Sequence, residues 1–270
     1  MAHFISCQLT RELMLSVFFF VVQNFFMNHI PIYISIVFIL TTLLTVFLFY
    51  KASNRNRKFL WSIMVWLIIQ SAIAITGFFI VTKTLPPRFI LLIALPFASI
   101  LVIFSSSKGK TFIDDFDLGK LALLHTIRIP IEIVLFWLFL NKAVPQLMTF
   151  EGRNFDLISG ITSPLVYYFG FVKKKLGVKP MLAWNFICLL ILLFTVSNAI
   201  LSAPFTFQKF AFDQPTIAVF YFPFVWLPGI VVPLVVFSHL ISIRLLLKQW
   251  RNRNVPAFLF KKLSIAIEKP

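Results

Sequence analysis

The chain has 270 residues, of which 60% are hydrophobic and 13% charged, and it contains 35 phenylalanines. A soluble domain carries about 25% charged residues, so a water-soluble fold of this size is excluded. The net charge of +16 would suggest nucleic acid in a soluble protein. Here the basic residues sit in short stretches between apolar runs, the pattern of loops beside a membrane, and no nucleic-acid partner is expected.

The first apolar run, 13–27, is short and interrupted by Gln23 and Asn24. Arg11 precedes it and no small-residue cleavage pattern follows, so it does not read as a signal peptide. Runs at 32–50, 59–81 and 89–104 come next, the last with Pro96 inside it. A loop is expected at 105–120. The run 121–140 carries His125, Arg128, Pro130 and Glu132, and the loop 141–156 ends in Glu151, Gly152, Arg153, Asn154 and Asp156. Runs at 157–172, 181–201 and 216–243 complete the set, and the last holds Pro223, Pro228, Gly229 and Pro233.

Runs near 20 residues match the length a helix needs to cross about 30 Å of hydrocarbon. They are too long for barrel strands and do not alternate polar with apolar. The expected fold is therefore an all-α polytopic transmembrane helix bundle. It has eight spans if 13–27 crosses, or seven if that run lies in the interface. Its first ten residues are apolar on every face, which favours crossing. Residues 1–243 are expected to form one membrane domain in the lipid bilayer, and 244–270 a basic cytoplasmic tail. The segments 51–58, 173–179 and 244–262 are the richest in Lys and Arg. Even numbers of spans separate them, so all three fit the cytoplasmic side of a membrane of bacterial type. The segments 83–88, 141–156 and 202–215 then face outward.

His125, Arg128 and Glu132 follow an i, i+3, i+7 spacing and share one helix face. With Lys120 as the boundary and a rise of about 1.5 Å per residue, they lie about 7, 12 and 18 Å deep. Ionisable groups at such depth face a protein interior or a polar cavity. Two readings follow: a helix-joining Arg128–Glu132 pair, or one wall of a substrate pocket. Pro130 should bend this helix. Gln70, about 18 Å deep in its own span, is placed to meet Glu132. Asn185 and His239 form a second polar level with His125. Glu151, Arg153 and Asp156 read either as loop and cap chemistry or as the mouth of a pocket. Three prolines in the last run should break or bend it. Ser159, Gly160 and Ser163 make a small-residue face suited to close packing.

The two cysteines, Cys7 and Cys188, make neither a plausible disulfide nor a metal site. Gly109-Lys110 lacks the spacing of a phosphate-binding loop, and no nucleophilic triad or His-rich box is present. No cofactor is expected, with a bis-His haem on His125 and His239 as the alternative. The sequence thus points to a membrane-embedded binder or transporter of a small anionic or lipophilic solute. A haem-bearing or lipid-acting enzyme and a structural subunit are the competing readings.

Overall fold

The computed structural model describes residues 29–82, 84 and 86–253. Run 13–27, Cys7 and residues 254–270 lie outside them. All regular structure among the described residues is helical. Helix α1 is Ile32–Ala52 and α2 is Arg57–Ile75. The side chain of Asn56 caps α2 by accepting from the Phe59 amide at 3.0 Å. Helix α2 stops six residues short of the expected end because Gly77 takes a left-handed φ of 74°.

Helix α3 is Ile90–Ser105 and α4 is Ser107–Asp114. They meet at 92°, where a loop was expected. The Ser106 side chain caps α4 by accepting from the Gly109 amide at 3.0 Å. A side chain at Gly109 would strike the Ile103 carbonyl, so the corner requires glycine. Helix α5, Leu118–Leu124, passes through one 3-10 turn, His125–Ile127, into α6, Arg128–Leu140. Pro130 has no N–H to give the Thr126 carbonyl, and the irregularity expected from it appears as this tightened turn.

Helix α7 is Asp156–Tyr167, extended by a π turn, Tyr168–Val172, and α8 is Val178–Leu201. Residues 216–226 do not belong to the last span as expected. The Ile217 and Ala218 amides both donate to the Ala143 carbonyl at 3.0 Å, which ties this stretch to the loop after α6. A π turn, Leu227–Val231, then leads into α9, Val232–Arg253. The expected tail is helical through Arg253.

Among the described residues five helices are long and apolar enough to cross a membrane, or six if α3 and α4 are one bent span. The expected eight is not reached among the described residues. Helix α7 and its π turn have only 12 and 5 residues. The segment Leu227–Asn252 is 78% buried, against 22% for Arg57–Ile75 and 28% for Val178–Leu201. The last helix is therefore the axis of the bundle, and α2 and α8 are outer staves. Their outer faces carry Trp61, Ile68, Ile187 and Leu190, all exposed, an apolar surface suited to lipid.

The basic segments converge on one end. The Asp117 amide donates to the Ala52 carbonyl at 2.9 Å, and Leu118, Phe171, Leu176 and Leu246 pack together. At this end Phe49, Phe116 and Phe237 form an aromatic cluster with centroids 5.4 to 6.2 Å apart. The segments 141–156 and 202–216 gather at the other end, where Phe89, Phe205 and Phe220 cluster with centroids 5.0 to 5.9 Å apart.

Asp114 fastens α4 to the axial helix, pairing with Lys248 at 2.8 Å and Arg244 at 3.4 Å. The Lys248 hydrogen bond holds its carboxyl below the ordinary value of 3.8. That stabilisation is complete above the ordinary value and is lost as pH falls through the lowered one. Lys248 is 56% exposed, so solvent screens the pair. Asp114→Asn should cost at most about 1 kcal/mol at neutral pH. Melting of the detergent-solubilised protein checks this: the deficit should vanish in acid, and one that persists there would assign it to another cause.

Candidate functional site

Four helices, α6 to α9, with the 3-10 turn before α6 and the loop before α7, place a buried polar cluster in the bundle core. Arg128 opens α6 and is 3% exposed. Its Nη1 donates to Asp156 Oδ1 at 3.0 Å and approaches the Cys188 carbonyl at 3.5 Å. Its Nη2 lies 3.0 Å from His239 Nε2. A guanidinium only donates, so His239 Nε2 accepts and its proton sits on Nδ1. That nitrogen donates to Asn185 Oδ1 at 3.0 Å, and Asn185 Nδ2 donates to the Met181 carbonyl at 2.9 Å. The chain of bonds thus fixes an uncharged His239 on α9 against α8.

His125 stacks on His239, with centroids 3.9 Å apart and planes 14° from parallel. Ser238 donates to the Val235 carbonyl at 2.8 Å, so it accepts from His125 Nε2 at 3.1 Å. His125 Nδ1 is buried without a partner. Face-to-face rings whose Nε2 atoms are engaged by Ser238 and Arg128 do not form an axial haem pair, which aims two nitrogens at one iron from opposite sides. The haem alternative is therefore discarded. Among the described residues no three His, Cys, Asp or Glu side chains are grouped for a metal.

Close packing makes this assembly possible. A Cβ on Gly160 would lie 2.9 Å from Ile129 Cγ1 and 3.3 Å from Arg128 Cβ, so glycine lets α7 lie against α6. Ser163 Oγ donates to the Ala122 carbonyl at 2.7 Å across the same contact. The small-residue face is thus the seam that brings Asp156 to Arg128.

Glu132 does not pair with Arg128, contrary to the first of the two readings. Its Oε1 accepts from Asn154 Nδ2 at 2.6 Å. Asn154 is 3% exposed and spends every polar atom. Its second Nδ2 hydrogen goes to the Met148 carbonyl at 3.0 Å. Its Oδ1 accepts from the Asp156 amide and from Thr195 Oγ1, each at 3.0 Å. Asn154 caps α7 and anchors Glu132 together. Among the described residues Glu132 Oε2 is buried without a partner.

Gln70 does not meet Glu132 either. It donates to the Gly229 carbonyl at 3.0 Å, where the π turn frees that oxygen. Glu151 and Arg153 are exposed, and Arg153 lies over the Phe210 ring at 6.0 Å. Asp156 is buried at the core and does not join them as a pocket mouth.

Beside Glu132 lies a cavity of about 100 Å³. Glu132, Asn154, Asp156 and Thr195 form its polar end, and Ile131, Leu192, Ala199 and Val219 are among its apolar walls. Arg128 does not line it. Sequence reasoning missed the central place of Asn154 and missed Thr195 entirely. The signal was the stripe Asn185, Cys188, Leu192 and Thr195, at i, i+3, i+7 and i+10, which marks a buried face with polar members. No family model, curated protein sequence or solved structure matches the chain.

Removing one partner of a buried pair strands a charge and costs about 3–5 kcal/mol, whereas replacing both with apolar residues costs far less. Arg128→Met should thus sharply lower the melting temperature in detergent. Arg128→Met combined with Asp156→Leu should recover more than half of the loss. Additive losses in the double variant would show that the two charges are not coupled.

Proposed function

We propose that this chain is a multi-pass integral membrane protein that binds a small, mainly apolar solute with one polar end. The end bearing 51–58, 173–179 and 244–248 faces the cytoplasm under the Lys/Arg bias. The observation that carries the binding reading is the cavity, which is mainly apolar and whose Glu132 end holds a carboxylate oxygen, Oε2, buried without a partner among the described residues. Ligand sites have this composition, with apolar walls and a few polar groups that fix orientation. Buried unpaired polar atoms are costly and are retained where something else satisfies them.

The anionic version of the solute is dropped. Arg128 is committed to Asp156 and His239 and has no face on the cavity. A volume of about 100 Å³ is below the roughly 150 Å³ of an engineered cavity that takes up benzene. A solute or side arm of about four or five heavy atoms fits. Binding is the first function supported, and movement of the solute across the bilayer would build on it.

Saturation-transfer NMR with n-butanol on the solubilised protein tests the reading. The wild type should show transfer to the butyl protons. Ala199→Phe, which fills the apolar wall and leaves the polar end intact, should abolish it. Equal transfer in both proteins would place the alcohol elsewhere and remove the proposal.

A further inference from the structure

We infer that the solute is an organic cation of the alkylammonium class, and that it and a proton occupy Glu132 in alternation. The inference rests on the binding reading above and deepens it.

The donor inventory of the polar end comes first. Both Asn154 Nδ2 hydrogens are taken, by Glu132 Oε1 and the Met148 carbonyl. The Thr195 hydroxyl proton goes to Asn154 Oδ1. The Asp156 amide is used on Asn154 as well. What remains toward the cavity is acceptors: Glu132 Oε2, Thr195 Oγ1 and the Asp156 carboxylate. A carboxylate or phosphate ligand finds no donor there beyond the proton that Glu132 carries when the cavity is empty, and no positive charge to match its own. A ligand that donates hydrogen bonds finds three acceptors, two of them on acids.

The charge count comes second. Arg128, one turn before Glu132 on α6, is positive and is matched by Asp156 on α7. His239 on α9 accepts from Arg128 and is uncharged. His125 donates through Nε2 and keeps a bare Nδ1, so it too is uncharged. Helix α8 presents Thr195 and Leu192 to the cavity, α3 presents Ile93 and Phe97, and the stretch before α9 presents Val219, Leu227 and Pro228. None of these is charged. Among the described residues, Glu132 is the one group in the cavity whose charge no neighbour compensates.

An isolated charge in an apolar interior is too costly to persist. Glu132 is therefore protonated when the cavity is empty. A bound ammonium supplies the missing positive charge and lets the carboxylate ionise. The exchange balances: R–NH₃⁺ and Glu132–COOH give R–NH₃⁺ paired with Glu132–COO⁻, and one proton leaves to solution. No bond other than O–H is broken. The total charge of the site is the same before and after, so neither state strands a charge in the interior.

The test uses n-butylammonium and n-butanol, which have the same chain and differ in the head. Titrated into weakly buffered, detergent-solubilised protein, butylammonium should release about one proton per molecule bound. Its apparent affinity should rise up to tenfold per pH unit between about pH 5 and 8, where an alkylamine stays charged as lysine does. Butanol should bind with no proton release and no pH dependence. Glu132→Gln should lose the proton release and the preference for the amine. Should that variant fail to fold, the wild-type proton count decides alone. Butylammonium that binds without releasing a proton, or no tighter than butanol, overturns this inference and leaves the binding site standing. Failure of both probes to bind overturns the binding reading itself.

Discussion

A guanidinium held away from water needs its charge matched and partners for its Nη hydrogens, and the core of this protein is built around that need. Arg128 sits at the start of α6 and draws in groups from two other helices: Asp156 from the first turn of α7 and His239 from the axial helix. Each then recruits its own support. His239 is held by Asn185 of α8, and Asp156 is held through its amide by Asn154. Every helix that touches the cluster is thereby fixed in rotation as well as in position. Apolar contact alone fixes rotation weakly, because a lipid-like interior does not distinguish one leucine face from another.

The same arrangement divides the polar core into two parts of different character. The histidine part is closed, with stacked rings and nearly every polar atom matched. The Glu132 part is left incomplete beside a void. Asn154 is the joint between them. It fixes Glu132 with one end of its amide and the start of α7 with the other, so movement at the cavity is felt at Asp156 and through it at Arg128.

The apolar periodicity marked most helices within a few residues, because a spanning helix must satisfy its own backbone and therefore runs uninterrupted. It misjudged places where backbone chemistry decides. Gly77 ended α2 early, Gly109 turned an expected loop into a right-angled helix corner, and prolines moved residues 216–226 out of the last span. The shared face of His125, Arg128 and Glu132 was legible from helical geometry. Their partners were not, since an i, i+4 pair competes with groups whose approach depends on packing. Gly160 allowed Asp156 to outcompete Glu132 for Arg128, and no spacing within α6 records that. Asn154 read as a cap, which it is, but its second role needed Thr195 from 41 residues away.

The two phenylalanine clusters close the ends of the bundle unequally. The cavity reaches from Glu132 toward Phe89, Phe205 and Thr216, while Phe49, Phe116 and Phe237 pack against one another at the opposite end. Among the described residues the void lies toward the end that carries Phe89 and Phe205, and continuing it to the other end would require the three rings there to part. The corner formed by α3 and α4 carries Phe104 and Phe112 against that ring cluster and is strapped to α9 through Asp114. Whatever loosens that strap loosens the packing of that ring cluster.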